Sequence, residues 1–162
     1  MDNSKITFIT TRQNTALRIC CVLQEDDVCV ATLQFTFIPN VKFTKGDGTK
    51  VIVGKIVADL YDLLISDSVK NKETIVQRFM HALQIWGDDK NVVSDIEVYL
   101  NHEFQYENII ANEGFDKVLY KDACKYYWDG EANRTCYLIK HKSYPTDLKD
   151  SLFISFYEDS KE

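Results

Sequence analysis

The chain has 162 residues, of which 45% are hydrophobic and 27% charged, and only two are prolines. This length and composition are typical of one globular domain with a single sizeable core, and they exclude a disordered or low-complexity protein. The formal net charge of -6, with basic residues scattered along the chain, disfavours a duplex nucleic-acid partner. We therefore expect a single domain over residues 1–162.

The N-terminus and the apolar runs give no sign of export or membrane insertion. The stretch MDNSKITFITTRQ lacks the basic patch and the apolar core of a signal peptide. No apolar run approaches the roughly 20 residues that a membrane-spanning helix needs. We therefore expect a cytoplasmic protein that does not enter the membrane.

The cysteines and histidines show no metal-ligand spacing. The five cysteines form no CxxC pair and leave an odd one over, and the three histidines are far apart in the sequence. This pattern predicts reduced thiols and no metal site. Apolar neighbours predict that four of the thiols are buried, namely Cys20, Cys21, Cys29 and Cys136.

Alternating apolar and polar residues predict strands in the first third of the chain. KITFITT at 5–11 predicts a first strand. ALRICCVLQ and VCVATLQFTFI alternate on either side of EDD and predict a hairpin over 17–37. We expect Pro39 to end this hairpin and KGDG at 45–48 to form a turn.

The segment 51–65 has two interpretations. Its polar positions Lys55, Asp59, Asp62 and Ser66 recur at helical spacing, which favours a helix. Its β-branched clusters, VIV and KIV, favour instead a strand that is buried on both faces. The local pattern leaves this choice open.

One long helix is predicted clearly, and short elements follow it. From 73 to 86 the apolar residues fall on one helical stripe, and we expect the helix to stop at Gly87. SDIEVYLN at 94–101 predicts a strand, and residues 103–112 predict a short helix that ends at Gly114. FDKVLY, ACKYYW, RTCYLIKH and LFISFY predict further strands. This order predicts an α+β fold with a mixed, largely antiparallel sheet and the helix at 73–86 packed on one face.

Part of this order, over about residues 56–142, resembles the GNAT superfamily of N-acetyltransferases. In that family a central strand leads into a loop of the form R/Q-x-x-G-x-G/A, whose backbone amides hold the pyrophosphate of acetyl-CoA at the head of the next helix. ISDSVKNKETIVQRFM places Lys70 at the leading basic position of this loop and Asn71 and Lys72 after it. VYLN, NEGFDKV with its Gly114 and Phe115, and YYWDGEANRTCYLIKH are similar to the family's later elements.

The resemblance implies a GNAT-like fold, in which residues 56–65 form the fourth strand and helices pack on the faces of the sheet. It also implies acetyl-CoA as the cofactor. The residues implied to bind it come from the loop, the head of the helix and the end of the fifth strand: Lys70, Asn71, Lys72, Thr74, Ile75 and Asn101. For Asn101 the alternative is a plain helix N-terminal cap.

The sequence departs from the family within the loop. Glu73 and Ile75 stand where the family has glycines, so the backbone is less able to approach a phosphate and Glu73 adds a negative charge. Lys70 and Lys72 offset this charge, and Asn71 tolerates the left-handed conformation. Cofactor binding therefore requires Glu73 to turn outward.

The catalytic groups that the resemblance implies are also altered. Ile110 stands where the family often carries the tyrosine that protonates the departing thiolate of CoA. Tyr106, one helical turn earlier on the same face, is the candidate acid, with core packing as the alternative. Glu97 is the candidate base, together with Asp59 and Asp62. For these three carboxylates the alternative is a solvated or capping role.

These observations support two functions. The first is a divergent GNAT-like acyltransferase that moves an acetyl group from acetyl-CoA to an amine substrate. The second is a non-catalytic interaction or inhibitor protein on a degenerate GNAT-like fold, of viral or mobile-element origin, which binds a host protein. The content of Asn, Asp, Lys, Ile and Tyr suits an AT-rich genome of that kind. A binding assay with acetyl-CoA separates the two.

Overall fold

The computed structural model describes residues 4–44, 46–90, 92–101, 104–118, 134–139 and 154–156. Within this part of the chain, nine strands form one sheet: β1 Ser4–Gln13, β2 Ala16–Glu25, β3 Val28–Thr44, β4 Lys50–Asp59, β5 Leu64–Ile65, β6 Val92–Asn101, β7 Asp116–Val118, β8 Arg134–Ile139 and β9 Ile154–Phe156. The described helices are α1 Lys72–Asp89, α2 Glu107–Asn112 and a short 3₁₀ helix at Leu60–Asp62.

The sheet is mixed and largely antiparallel. Its order is β1-β2-β3-β4-β6-β8-β7, and β5 and β9 both pair with β3. β4 and β6 are parallel, from the pair Ile52–Val92 to the pair Asp59–Tyr99. α1 lies in the connection between these two strands, because parallel neighbours need a crossover. The predicted fold class, α+β with a mixed and mainly antiparallel sheet, is confirmed.

The predicted N-terminal hairpin is also confirmed. β2 and β3 pair around a two-residue turn at Asp26 and Asp27. Both residues have positive φ, 50° and 64° respectively. A tight hairpin turn of this kind requires positive φ at both central positions, and Asp tolerates it better than most residues. β1 extends the hairpin by pairing along its whole length with β2.

The prediction that Pro39 ends the hairpin is wrong. β3 continues through Pro39 to Thr44, and its pairing with β4 shifts register between Pro39 and Val41. Along the other edge of β3, the pairing with β2 reaches Phe37 and the pairing with β9 begins at Val41. Pro39 therefore falls between two partners at an irregular point of the sheet, where a residue without an N–H is tolerated.

The segment 51–65 is a strand for most of its length, so its helical interpretation is wrong. β4 runs to Asp59, the chain turns through the 3₁₀ helix, and β5 then pairs with β3. Buried side chains occur on both faces of β4, as the β-branched clusters predict: Val51, Val53, Ile56, Val57 and Ala58. The fourth strand that the resemblance implies therefore begins before residue 56 and is interrupted after Asp59.

The predicted apolar stripe of α1 packs on one face of the sheet. Trp86 extends this stripe, since its ring centroid lies 5.6 Å from those of Phe35 and Phe37 on β3. Gly87 does not end the helix, contrary to the prediction, because α1 continues to Asp89. A Cβ on Gly87 would lie 3.5 Å from Cδ1 of Ile56, which is an ordinary van der Waals contact, so the packing of α1 on β4 does not require a glycine at this position.

The elements after α1 follow the predicted order. β6 includes the predicted strand at 94–101, and α2 begins at Glu107, later than the expected residue 103. Gly114 follows α2 with a φ of 92°, a conformation that suits glycine after a helix. β7, β8 and β9 lie within FDKVLY, RTCYLIKH and LFISFY. The predicted strand ACKYYW lies outside the described residues.

Both described α-helices cover the same face of the sheet, which we call the helix face. The hydroxyl of Tyr137 donates a hydrogen bond to Glu107 of α2. The strand register places Tyr137 beside Val98, Val98 beside Ala58, and Ala58 beside Phe35. Because Phe35 packs on Trp86 of α1, all four residues lie on the helix face. Glu97 and Tyr99, at alternate positions of β6, therefore lie on the opposite face.

The thiols are less buried than predicted. Cys21 is buried on the helix face, whereas Cys20 is only partly buried and Cys29 is exposed. Cys29 is the second residue after the hairpin turn, and the register pairs it with Gln24 on the face opposite the helices. The three are free thiols, and the side chain of Cys136 lies outside the described part.

Two further properties concern the described residues as a set. They contain no group of three or more His, Cys, Asp or Glu side chains placed to hold a metal ion. None of their helices has both the length and the apolar character needed to cross a membrane.

Candidate functional site

Side-chain hydrogen bonds shape the loop before α1. Asn71 caps the helix, because its Oδ1 accepts a hydrogen bond from the backbone N–H of Thr74 at 3.2 Å. Nζ of Lys72 donates to the carbonyl oxygen of Val69 at 3.1 Å. These contacts hold the loop against the head of α1 although it lacks the glycines of the GNAT family.

A groove of about 530 Å³ lies beside this loop, and we call it the main groove. Its walls are the β2–β3 hairpin, the loop at residues 68–71 and the first two turns of α1. Four of the six residues implied to bind acetyl-CoA line it: Lys70, Asn71, Thr74 and Ile75. The structure therefore brings most of the implied binding residues to one cavity.

The charged side chains of the main groove are two cations and one carboxylate. Lys70 is exposed on the loop, Arg78 is half-buried on α1, and Glu25 is exposed at the end of β2. The head of α1 adds the positive end of the helix dipole. The charged side chains of this groove sum to a positive charge, whereas the chain as a whole has a formal net charge of -6. The main groove suits an anionic ligand.

A second groove of about 190 Å³ lies on the other side of the head of α1, towards α2. Glu73 and Glu113 line this second groove, and neither of them lines the main groove. Nε2 of His81 lies 2.7 Å from Oε2 of Glu113, which ties α1 to the end of α2. Asn71 and Thr74 line both grooves, so the two grooves meet at the head of α1, and Glu73 lies on the side of the second groove.

The pairing of the sheet is interrupted at the end of β4 that leads to this loop. Asp59–Tyr99 is the last pair between β4 and β6. Beyond it β5 pairs with β3, whereas the end of β6 continues along β8. We call this interruption the strand gap. The 3₁₀ helix contacts β6 there, and its Tyr61 and Asp62 are exposed.

Two of the implied binding residues are not placed in the main groove. Lys72 does not line it, and its ammonium group serves the loop through Val69. Asn101 is the last residue of β6, where its backbone pairs with Arg134. It therefore ends a strand, as the resemblance implies, and its side chain lies outside the described part.

Glu97, the candidate base, is a buried carboxylate with two partners. Its residue exposure is 3%. Its Oε2 lies 2.5 Å from Nζ of Lys55, and its Oε1 accepts a hydrogen bond from the hydroxyl of Tyr99 at 2.7 Å. Lys55 and Tyr99 had no motif to mark them in the sequence. Removing either charge of the Lys55–Glu97 pair alone would leave the other charge buried, which is costly.

The remaining catalytic candidates have local roles. Tyr106 stands at the N-cap position of α2 without a side-chain cap, and its ring packs edge-on against Phe104 at 5.7 Å. It lines neither described groove, so its geometry favours the packing role. Oδ1 of Asp59 accepts from the backbone N–H of Tyr61 at 3.0 Å, which is a capping role. Asp62 is exposed beside the strand gap.

Burial changes the ionisation of two groups on the helix face. Burial, together with the hydrogen bond to Glu107 and the charge of that carboxylate, raises the pKa of Tyr137 to about 12. Burial also raises the pKa of the Cys21 thiol to about 12, with a smaller contribution from Cys20. Neither group is therefore ionised at neutral pH.

Sequence reasoning missed the residues that the tertiary fold brings to the main groove. Arg78 follows Thr74 by four residues, so helical spacing places both on one side of α1 and was a usable signal. Glu25 and Val30 come from the hairpin, 43 and 38 residues before the start of the loop at residue 68. Nothing in the local sequence indicates that they form the opposite wall.

The comparisons with known proteins found similarity to solved structures alone, four chains of which match. No family model and no curated protein matches the chain. Among solved structures, the chain is similar to Arabidopsis thaliana Naa50 in complex with the bisubstrate analogue CoA-Ac-MVNAL. The two are 17% identical, the match covers 74% of this chain and 69% of that chain, and the TM-score is 0.36.

Proposed function

We propose that the main groove binds the diphosphate end of acetyl-CoA and that the protein is a GNAT-like acyltransferase acting on an amine. One observation carries this proposal: Lys70 and Arg78 line the groove at the head of α1, while Glu73 lines the other side of the helix. The ligand supplies an acetyl group as a thioester: the amine attacks the carbonyl carbon, the C–S bond breaks, and CoA leaves as a thiolate that takes up a proton, while the amine nitrogen loses one.

The residues of the main groove fit a ligand that carries phosphate groups at more than one position. The ammonium of Lys70, at the head of α1, acts as a point charge towards the diphosphate, and the planar guanidinium of Arg78, further along the helix, is suited to pair with two oxygens of one phosphate group. The positive end of α1 adds to this attraction, although the amide of Thr74 is already bonded to Asn71. The carboxylate of Glu25 repels a phosphate in the same groove. The two cations must therefore contact the phosphate oxygens directly to outweigh this repulsion.

The strand gap is the proposed place for the acyl end of the ligand. In parallel α/β sheets ligands bind outside the carboxyl ends of the strands, and by analogy with that arrangement the parallel pair β4–β6 has both the gap and the main groove after the end of β4. Asp62 is exposed there, and Glu97 lies two residues before Tyr99 at the gap. We propose these two carboxylates as acceptors of the amine proton. Asp62 would accept it directly, and Glu97 would receive the proton of the Tyr99 hydroxyl as that hydroxyl takes up the amine proton. We assign Tyr106 to packing.

The proposal is tested by calorimetric titration of acetyl-CoA into the parent protein and three variants. Lys70→Ala should weaken binding by on the order of 1 kcal/mol, or about fivefold, because it removes a charge from the groove. Glu73→Gln should tighten binding by less than this, since its side chain faces the second groove. Both effects should diminish at high salt.

Lys90→Ala is the matched control. Lys90 is an exposed lysine that caps the other end of α1, and the 18 residues of this helix span about 27 Å. This distance exceeds two screening lengths at physiological salt, so the variant should bind like the parent. If Lys70→Ala and Lys90→Ala bind acetyl-CoA equally, the main groove is not the phosphate site.

The second candidate function is the non-catalytic interaction protein. Exposed apolar side chains favour it, since Tyr61 and Leu64 are 75% and 67% exposed near the strand gap. In this case the parent would show no heat of binding with millimolar acetyl-CoA. Tyr61→Ser and Leu64→Ser would then be expected to weaken binding to a protein partner without changing the unfolding temperature.

A further inference from the structure

The two cations of the main groove stand on different walls. Lys70 is on the loop before α1, and Arg78 is on the second turn of the helix. Arg78 follows the cap Asn71 by seven residues, which corresponds to about 10 Å along the helix axis. The groove therefore offers two separate positions for negative charge, one at the head of α1 and one further along it.

We propose that Arg78 recognises the 3′-phosphate of CoA, so that the main groove selects CoA over ligands that lack this phosphate. The inference rests on the proposed function and specifies the part of the ligand that the groove selects. The ribose of CoA carries a diphosphate on its 5′ oxygen and a separate phosphate on its 3′ oxygen. The first matches Lys70 and the head of α1, and the second matches Arg78.

The surroundings of Arg78 favour a contact of this kind. Its side chain is half-buried, and Ile75, which is 3% exposed, and Val30 line the same groove. A charge-assisted hydrogen bond is stronger where apolar groups exclude water. Glu25 on the hairpin wall repels a phosphate that is not held directly by a cation. Selectivity should therefore depend on direct contact with the guanidinium.

The experiment compares two ligands, CoA and dephospho-CoA, by calorimetry at about 0.15 M salt, where long-range charge effects are screened. The parent should bind CoA at least about tenfold more tightly, which is the effect expected of one hydrogen-bonded charge pair. Arg78→Gln should bring the two affinities within about twofold of each other by weakening CoA alone. Arg78→Lys should retain part of the preference.

Lys70→Ala is the matched control, because it should lower the affinities for CoA and for dephospho-CoA by similar factors. The ratio of the two affinities should therefore stay unchanged. Thermal unfolding of the Arg78 variants shows whether they are folded, and Arg78→Lys replaces Arg78→Gln if the latter is not. Equal affinity of the parent for both ligands, or equal weakening of both by Arg78→Gln, would overturn the inference while leaving the proposed function intact. Absence of binding by either ligand would overturn the proposed function and this inference with it.

Discussion

Gly54→Ala should destabilise the protein by about 2 kcal/mol. Gly54 pairs with Pro39 at the irregular point between β3 and β4. A Cβ at this position would lie 2.3 Å from the carbonyl oxygen of Ile38 and 2.7 Å from the ring of Phe37. The oxygen belongs to the sheet backbone and the ring packs on Trp86, so neither moves without loss. Overpacking costs about 1–3 kcal/mol, and a 2.3 Å contact with a backbone oxygen belongs at the upper end of this range. The reduced freedom of the unfolded chain offsets about 0.4–1 kcal/mol, which leaves about 2 kcal/mol.

Urea unfolding followed by circular dichroism measures this change in the free energy of unfolding. In a thermal scan of the same variant, the unfolding temperature should fall by about 4–8 °C for a loss of about 2 kcal/mol in a chain of this size. Gly46→Ala is the matched control, since Gly46 is exposed and a Cβ there would have nothing within 4 Å. Its free energy of unfolding should stay within about 0.5 kcal/mol of the parent. If the two variants have the same stability, the close contact at Gly54 does not exist.

Three further predictions concern capping, ionisation and thiol reactivity. Asn71→Ala should lower the free energy of unfolding by about 1 kcal/mol in the same urea assay, because α1 loses its cap; an unchanged midpoint would contradict the cap. The pKa of Tyr137 rises from 10.0 to about 12 on folding, so the stability it contributes is complete below pH 10 and is lost between 10 and 12. Tyr137→Phe should therefore lose less stability than the parent over that interval, and parallel curves would refute this. Iodoacetamide should label Cys29 before Cys21 when peptides are followed by mass spectrometry, because Cys29 is exposed and burial raises the pKa of Cys21; the reverse order would show that the hairpin is packed differently.

Elements with strong local periodicity were predictable from the sequence. The hairpin at Asp26 and Asp27 combines alternating strands with turn residues, and the stripe of α1 recurs over four turns. Pro39 and Gly87 were misjudged for a common reason. Each residue usually ends an element, but here Pro39 sits between two strand partners and Gly87 is buried within α1, which continues to Asp89. Tertiary packing overrode both local preferences.

The candidate site was predictable in part. The loop residues Lys70 and Asn71 could be located because a short motif places them before a helix. The outward direction of Glu73 and the inward direction of Arg78 follow from the helix phase, which becomes known only when its packed face is known. The contribution of Glu25 could not be predicted, because it depends on how the hairpin is placed beside α1.

Amide NMR of the ¹⁵N-labelled protein titrated with acetyl-CoA shows where on the protein the ligand binds. If the main groove binds acetyl-CoA, saturable shifts should occur at the amides of residues 68–71, Thr74 and Arg78, of which residues 68–70 and Arg78 line the main groove and not the second groove. The amide of Lys90, at the far end of α1, should be unchanged. Absence of shifts at millimolar acetyl-CoA would contradict the proposed binding. Shifts confined to the second groove, at Ile109 and Glu113, would contradict it equally, since they would place the ligand on the acidic side of the helix.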